Sequence, residues 1–235
     1  MSNNSEFNTF LFLSNKIINI SVFSENDFKK IYEKEITIQT QSNHINYEEL
    51  DYFLHDNIFR IEKKLDNFIK KIQVIIDIDD FFIVKLSINK KGNENPINLK
   101  NLRYLVHEAK EDCKKTFGKR KIVHLIIKNY KVDNQNFSSL PKNMDHKIFS
   151  IDLEFISLSN EIIENLEKIL NKYQISLERI VNSNYVREFL IDGENENIFS
   201  MTKKILSGHN LNEVFIVNKS TKNLGLFEKF FNILN

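Results

Sequence analysis

The stretch IVHLIIKNYKVDNQNFSSLPKNMDHKIFSIDLEFISLSNEIIENLEKILNKYQISLERIV, Ile122 to Val181, decides how the chain is read. Its first dozen residues are dominated by Ile, Leu, Val and Tyr and read as a strand followed by a short second one. A polar loop then holds Pro141 and Met144. A long strand through Ile148, Ile151, Leu153 and Phe155 follows. After it Ile162, Ile163, Leu166, Ile169, Leu170 and Tyr173 recur at three- and four-residue spacing, which predicts a helix over 160–173. ISLERIV is one more strand. Nothing in this ordered unit has the spacing of a catalytic motif.

On the N-terminal side, TFLFLSNKIINISVF and YEKEITIQTQ predict strands, rich in Ile and Phe and broken by polar turns. NYEELDYFLHDNIFRIEKKLDNFIKKI, residues 46–72, predicts a helix with Leu50, Phe53, Leu54, Ile58, Ile61, Leu65, Phe68 and Ile69 on one face. Acids lead it and lysines trail, as the helix dipole prefers. QVIIDIDDFFIVKLSINKK predicts a β-hairpin turning near Asp79 and Asp80. GNENP, with one of only two prolines in the chain, marks a boundary. NLKNLRYLVHEAKEDCKKTF predicts a helix ending before Gly118. Beyond Val181, SNYVREFL begins a helix at a Ser cap, and helix, strand and a terminal helix (LGLFEKFFNILN) complete the chain. The order is mixed α/β, with a small α/β unit set inside a parent domain.

At 235 residues the chain can bury a substantial core in one large domain or two small ones. A net charge of +1 offers no global attraction to nucleic acid or acidic lipid, so no nucleic-acid partner is expected. The single cysteine, Cys113, forbids an intramolecular disulfide and fits a reducing compartment. No apolar run approaches the roughly 18 residues of a membrane span, and MSNNSEF lacks the basic and apolar regions of a secretory signal. The expectation is a soluble cytoplasmic protein, or one held peripherally at the inner face of the plasma membrane by a local element.

Candidate chemistry is sparse. His107 and Cys113 lie on different faces of one helix, so a solvated His107 is the plainer reading than a zinc ligand. Asp77, Asp79 and Asp80 offer oxygens for a hard cation, although turns commonly carry Asp. Lys114, Lys115, Lys119, Arg120 and Lys121 bracket Gly118 as a basic loop with Phe117 its only aromatic, which suggests a solvated loop rather than a phosphate or lipid contact. No glycine-rich phosphate loop or nucleophile motif occurs. The terminal helix aligns Phe227, Phe230, Phe231 and Leu234 on one face, which suits core packing, a partner or a membrane surface. No catalytic, cofactor-binding or metal-binding residue is expected.

The stretch quoted above resembles the inserted subdomain of bacterial FtsA, the actin-like protein that links division filaments to the membrane. His124, Tyr130, Val132, Asp133, Pro141, Met144, Asn165, Leu166 and Ile175 fall in register with that family's pattern, and the match runs from about Asn93 to Leu190. The resemblance implies a reduced actin-like (ribonuclease-H-like) lobe. Residues 1–92 would form its first part, 93–173 the inserted FtsA-type subdomain, and 174–235 the return to the lobe with a remnant of a second lobe.

The flanks depart from the family. LFLSNKI (11–17) stands where the first phosphate loop would carry Asp and Gly, and IDGENEN (191–197) where the second would lie. The final segment has Asn218 and Lys219 in place of two motif glycines, while Gly225 and Leu226 are kept. Only a bare backbone approaches phosphate closely, and the missing acids would have organised metal and water. The resemblance therefore implies a non-enzymatic division adaptor without ATP. Its expected partners are division proteins and other copies of itself, with the FtsZ site on the missing lobe. The exposed loop 134–146, with Lys142, Asp145 and His146, is the candidate interaction surface. Two alternatives stand beside it: an ATPase using non-standard motifs, and a relative of the pilus protein PilM, which binds a peptide of a membrane partner.

Overall fold

The computed structural model describes residues 6–39, 44–91, 97–133, 135–141, 144, 147–191 and 196–215. They group into two compact units, each discontinuous in sequence. The first runs to Phe81 and resumes over Ser159–Ser207; the second takes Phe82–Leu158 and the segment from Gly208. The fold class is the expected mixed α/β, with two sheets. The boundaries differ from the expected 93 and 173. The second unit begins at Phe82, because the strand starting there pairs within it, and the helix 160–172 belongs to the first.

In the first unit a five-stranded sheet runs β3-β2-β1-β4-β9. Its strands are β1 (Phe7–Ser14), β2 (Ile17–Ser24), β3 (Lys30–Thr37), β4 (Lys71–Asp77) and β9 (Ser176–Asn182). β1, β2 and β3 form an antiparallel meander, while β1, β4 and β9 are parallel. Consecutive residues of the central strands are fully buried, Phe10 and Leu11 on β1 and Val74, Ile75 and Ile76 on β4. Such continuous apolar runs belong to strands covered on both faces. Phe10, Phe23 and Ile75 pack with Phe199 of helix α5 (Ile198–Leu206), and Phe23 stacks on Phe28 at 4.2 Å.

Helix α1 (Tyr47–Leu65) buries Leu50, Phe53, Leu54, Ile58 and Ile61, and is tied to β3 by the Tyr32 hydroxyl donating to Asn57 Oδ1 at 2.7 Å. It ends seven residues earlier than its periodicity suggested. Asp66 takes a left-handed conformation (φ 50°) and its N–H bonds to the Glu62 carbonyl. Short polar side chains tolerate that region, and the residues beyond are claimed by β4. Helix α3 (Asn160–Lys172) matches its expected span, burying Ile163, Leu166, Ile169 and Leu170. It supplies the crossover from β4 to β9 that parallel strands require.

The second unit holds a four-stranded sheet, β5-β8-β6-β7, with β5 (Phe82–Lys91), β6 (Arg120–Val132), β7 (Gln135–Phe137) and β8 (Ile148–Ser159). The expected hairpin through Asp79 and Asp80 is therefore corrected: β4 and β5 lie in different sheets. The local pattern fits two adjoining strands equally well whether or not they pair with each other. Helix α2 (Leu99–Phe117) is capped by Asn98, whose Oδ1 accepts from the Asn101 N–H, and stops at Gly118 with φ 58°. Its Leu102, Leu105, Ala109, Cys113 and Phe117 join Phe149, Ile151, Leu153 and Phe155 of β8 in one core. These alternate positions of β8 face the helix. On β6, Leu125, Ile127, Tyr130 and Val132 join the same core.

Candidate functional site

In sheets of this kind, ligands bind outside the carboxyl ends of the parallel strands. Here those ends are Ser14 of β1, Asp77 of β4 and Asn182 of β9. The β1–β2 turn is where a phosphate loop would present its backbone N–H groups. Instead the Ser14 hydroxyl accepts from the N–H of Lys16 at 3.1 Å and of Ile17 at 2.8 Å. The turn's amides are committed to its own side chain, so they do not converge on an outside anion.

Asp77 sits beside that turn, since Ser14 pairs with it across the sheet. Its carboxylate accepts both nitrogens of Arg187, Nη1 at 2.9 Å and Nη2 at 2.8 Å, and the Ser183 hydroxyl at 2.6 Å. Arg187 also donates to Ser183 Oγ and Asn184 Oδ1, each at 3.1 Å. The guanidinium holds the Asp77 carboxyl below its ordinary pKa, with the Ser183 bond helping and burial opposing; Asp77 in turn raises Arg187. The short helix α4 (Ser183–Arg187) is capped by Asn182, whose Oδ1 accepts from the Tyr185 N–H at 2.8 Å. The expected Ser cap is corrected accordingly, because the Ser183 hydroxyl turns to Asp77. Chemically, this edge is a closed set of self-satisfied hydrogen bonds.

Asp77, Asp79 and Asp80 do not form a cation cage. Asp77 is engaged by Arg187, and Asp80 Oδ2 accepts the Ser159 N–H at 3.2 Å. Among the described residues no group of His, Cys, Asp or Glu side chains is arranged to hold a metal. His107 is exposed, whereas Cys113 is buried with its thiol pKa raised by that burial. In the basic stretch, Lys114 pairs with Glu111 at 2.6 Å and Lys115 with Asp112 at 3.0 Å. Arg120 bonds the Ser157 hydroxyl and carbonyl. Lys142, Asp145, His146, Phe227, Phe230, Phe231 and Leu234 lie outside the described residues.

Of the residues that carried the resemblance, Asn165, Leu166 and Ile175 fall in the first unit, and the others are structural ties of the second. Buried His124 meets Glu213 at 2.8 Å, where the returning segment pairs on β6: the Val214 N–H bonds to the Leu125 carbonyl and the Ile127 N–H to the Asn212 carbonyl. Asp133, at φ 52°, closes the loop after β7 by accepting the N–H groups of Lys147 and Ile148. Pro141 is buried, and Met144 packs on the core while its carbonyl accepts the Ile97 N–H at 3.2 Å. The Asp77–Arg187 and His124–Glu213 pairs join positions 110 and 89 residues apart, so no local pattern announces them. Among the described residues no helix is long and apolar enough to cross a membrane.

No family profile and no curated protein matches the sequence. Solved structures similar to parts of the chain include the PilM–PilN type IV pilus biogenesis complex (TM-score 0.47, 7% identity, 77% of this chain and 48% of that one). The cytoplasmic domain of EpsL, an inner-membrane component of the type II secretion system of Vibrio cholerae, gives a TM-score of 0.38 at 11% identity over 77% of this chain and 57% of that one. A Bacteroides thetaiotaomicron protein of actin-like ATPase fold and unknown function gives 0.38 at 11% identity over 80% and 57%. The matched parts thus span about half of those longer chains.

Proposed function

We propose that this chain is a degenerate actin-like protein of the FtsA type, acting as a non-enzymatic adaptor of the division machinery at the cytoplasmic face of the membrane. The observation that carries this reading is the β1–β2 turn, whose amides are consumed by Ser14, next to an Asp77 engaged by Arg187. A phosphate binder needs converging N–H groups and a carboxylate available to metal; this edge has neither to spare. The retained second unit, held by the motif residues as a well-packed body, is then the part kept for contacts with division proteins or with other copies of the chain.

Isothermal calorimetry with ATP and magnesium tests the reading: no saturable heat is expected at micromolar to millimolar nucleotide, and a micromolar isotherm overturns it in favour of an ATPase with non-standard motifs. Changing Lys142, Asp145 and His146 together to alanine, with circular dichroism as the folding control, should weaken self-association or capture of division proteins. Unchanged association in a folded variant moves the interface off the 134–146 loop. Capture of pilus proteins in place of division proteins favours the PilM-like alternative.

A further inference from the structure

Open sheet edges invite pairing, and proteins manage them by shortening, bulging, mixed charge or cover. Among the described residues, three of the four sheet edges are managed. β3 follows a register slip at Val22/Phe23, mixes Lys30 and Lys34 with Glu33 and Glu35, and has its Ile31 carbonyl taken by Lys64 Nζ at 2.6 Å. β9 is seven residues long with a slip opposite Ile72/Gln73. The outer edge of β6 is covered by β7 and by Asn212–Val214. The fourth edge, β5, is different: ten residues in unbroken register with β8, from Phe82↔Ser157 to Lys91↔Ile148.

The core layer is also unfinished over β5. Val84, Leu86 and Ile88 point toward the α2 core and stay half-buried, although their partners Phe155, Leu153 and Ile151 are at most 1% exposed. Phe82 and Ile83 are 50% and 51% exposed. The charge is one-sided: β5 carries Lys85, Lys90 and Lys91 and no acid. Lys85 reaches Glu154 only at 3.6 Å, and Lys90 Nζ stands 4.8 Å over the ring of exposed Tyr104.

We propose that β5 is an acceptor edge for an extended segment of a partner protein in which apolar and acidic residues alternate. The added strand takes its affinity from main-chain hydrogen bonds and its specificity from alternate side chains. Its apolar row completes the layer over Val84, Leu86 and Ile88; its acidic row faces Lys85 and Lys91. A second copy of β5 would set these lysines against one another. This names the chemistry of a partner for the adaptor reading, and it rests on that reading for its cellular role.

The probe is a fluorescein-labelled octapeptide of alternating Val and Glu, titrated into the full chain by anisotropy. Saturable binding is expected, weakened at least tenfold by the double change Lys85→Glu and Lys91→Glu in a variant whose circular dichroism is unaltered. Two further peptides carry backbone N-methyl groups on the valines or on the glutamates. One should bind and the other fail, because a strand pairs on one side only and simple charge attraction ignores backbone N–H groups. Equal binding of both methylated peptides, an unaffected lysine variant, or no saturation at millimolar peptide overturns the proposal. A dimer of the free chain that the lysine changes strengthen assigns the edge to a second copy and overturns it as well. Nucleotide calorimetry is independent: ATP binding removes the adaptor reading and leaves the strand edge standing, whereas peptide failure does the reverse.

Discussion

The Asp77–Arg187 pair of the first unit and the His124–Glu213 pair of the second both join side chains far apart in sequence, yet they sit in opposite environments. The side chains of the first are 29% and 45% exposed, those of the second 2% and 5%. Water can still compensate the first pair when one partner is lost; it cannot reach the second. The first closes a sheet edge where chemistry would otherwise reside. The second fixes a returning segment onto β6. Similar chemistry thus serves closure in one place and architecture in the other.

The most severe way to break this contrast is to remove one member of the buried pair. His124→Ala or Glu213→Ala should each cost about 1–3 kcal/mol by urea unfolding, because a buried side chain loses a hydrogen-bond partner that water cannot replace. The double variant should cost clearly less than the sum. Either single change costing under about 1 kcal/mol would put the pair on a par with the exposed one.

Alkaline pH sharpens the comparison next. Burial pushes the Tyr130 hydroxyl of the second unit up to about 12. A raised folded pKa means that stability is intact below the unfolded value near 10 and declines as pH rises toward 12, here by about 2 kcal/mol. Tyr130→Phe should flatten much of that decline. A residual slope should persist from Tyr173 of the first unit, also pushed up to about 12 by burial and by Asp51.

At acid pH the sign reverses. Arg187 depresses the Asp77 carboxyl, so its contribution is present above the unfolded value near 3.8 and is lost as pH falls below it. With both side chains partly exposed, Asp77→Asn should cost only about 1 kcal/mol at neutral pH. The same change should reduce the acid slope of a stability profile between pH 5 and 2. The smallest effect belongs to the Lys71–Glu178 pair, 67% and 38% exposed, where either alanine change should stay within about 0.5 kcal/mol.

Periodicity read well where one element met one environment. The stripe of α3 and the alternation of β8 each have a single buried side, and the sequence shows it directly. It failed where a neighbour far along the chain made the decision. Adjacency predicts a β4–β5 hairpin, whereas their partners are β1, β9 and β8. The end of α1 was hidden because Ile69 continues the apolar rhythm past Asp66, although it is buried outside the helix. The loss of glycine from the 11–17 turn was legible, but the closure was not: Ser14 looks like any turn serine until its oxygen is seen accepting two amides. Asp77 reads as a metal candidate from its neighbours in sequence, and the Arg187 that occupies it lies too far downstream to give a local signal.

The discontinuity of the two units has a consequence for how the chain is made. Strand β4 leaves the ribosome with its β9-facing edge bare, and the whole segment from Phe82 to Leu158 must follow before β9 emerges. At roughly 5–20 residues per second, that strand waits on the order of several seconds for its neighbour. The second unit meets a similar delay, since Asn212–Val214 arrives only after all of the first unit has been synthesised. Translation therefore supplies most of the second unit before the first unit is finished, and Asn212–Val214 reaches β6 only after both.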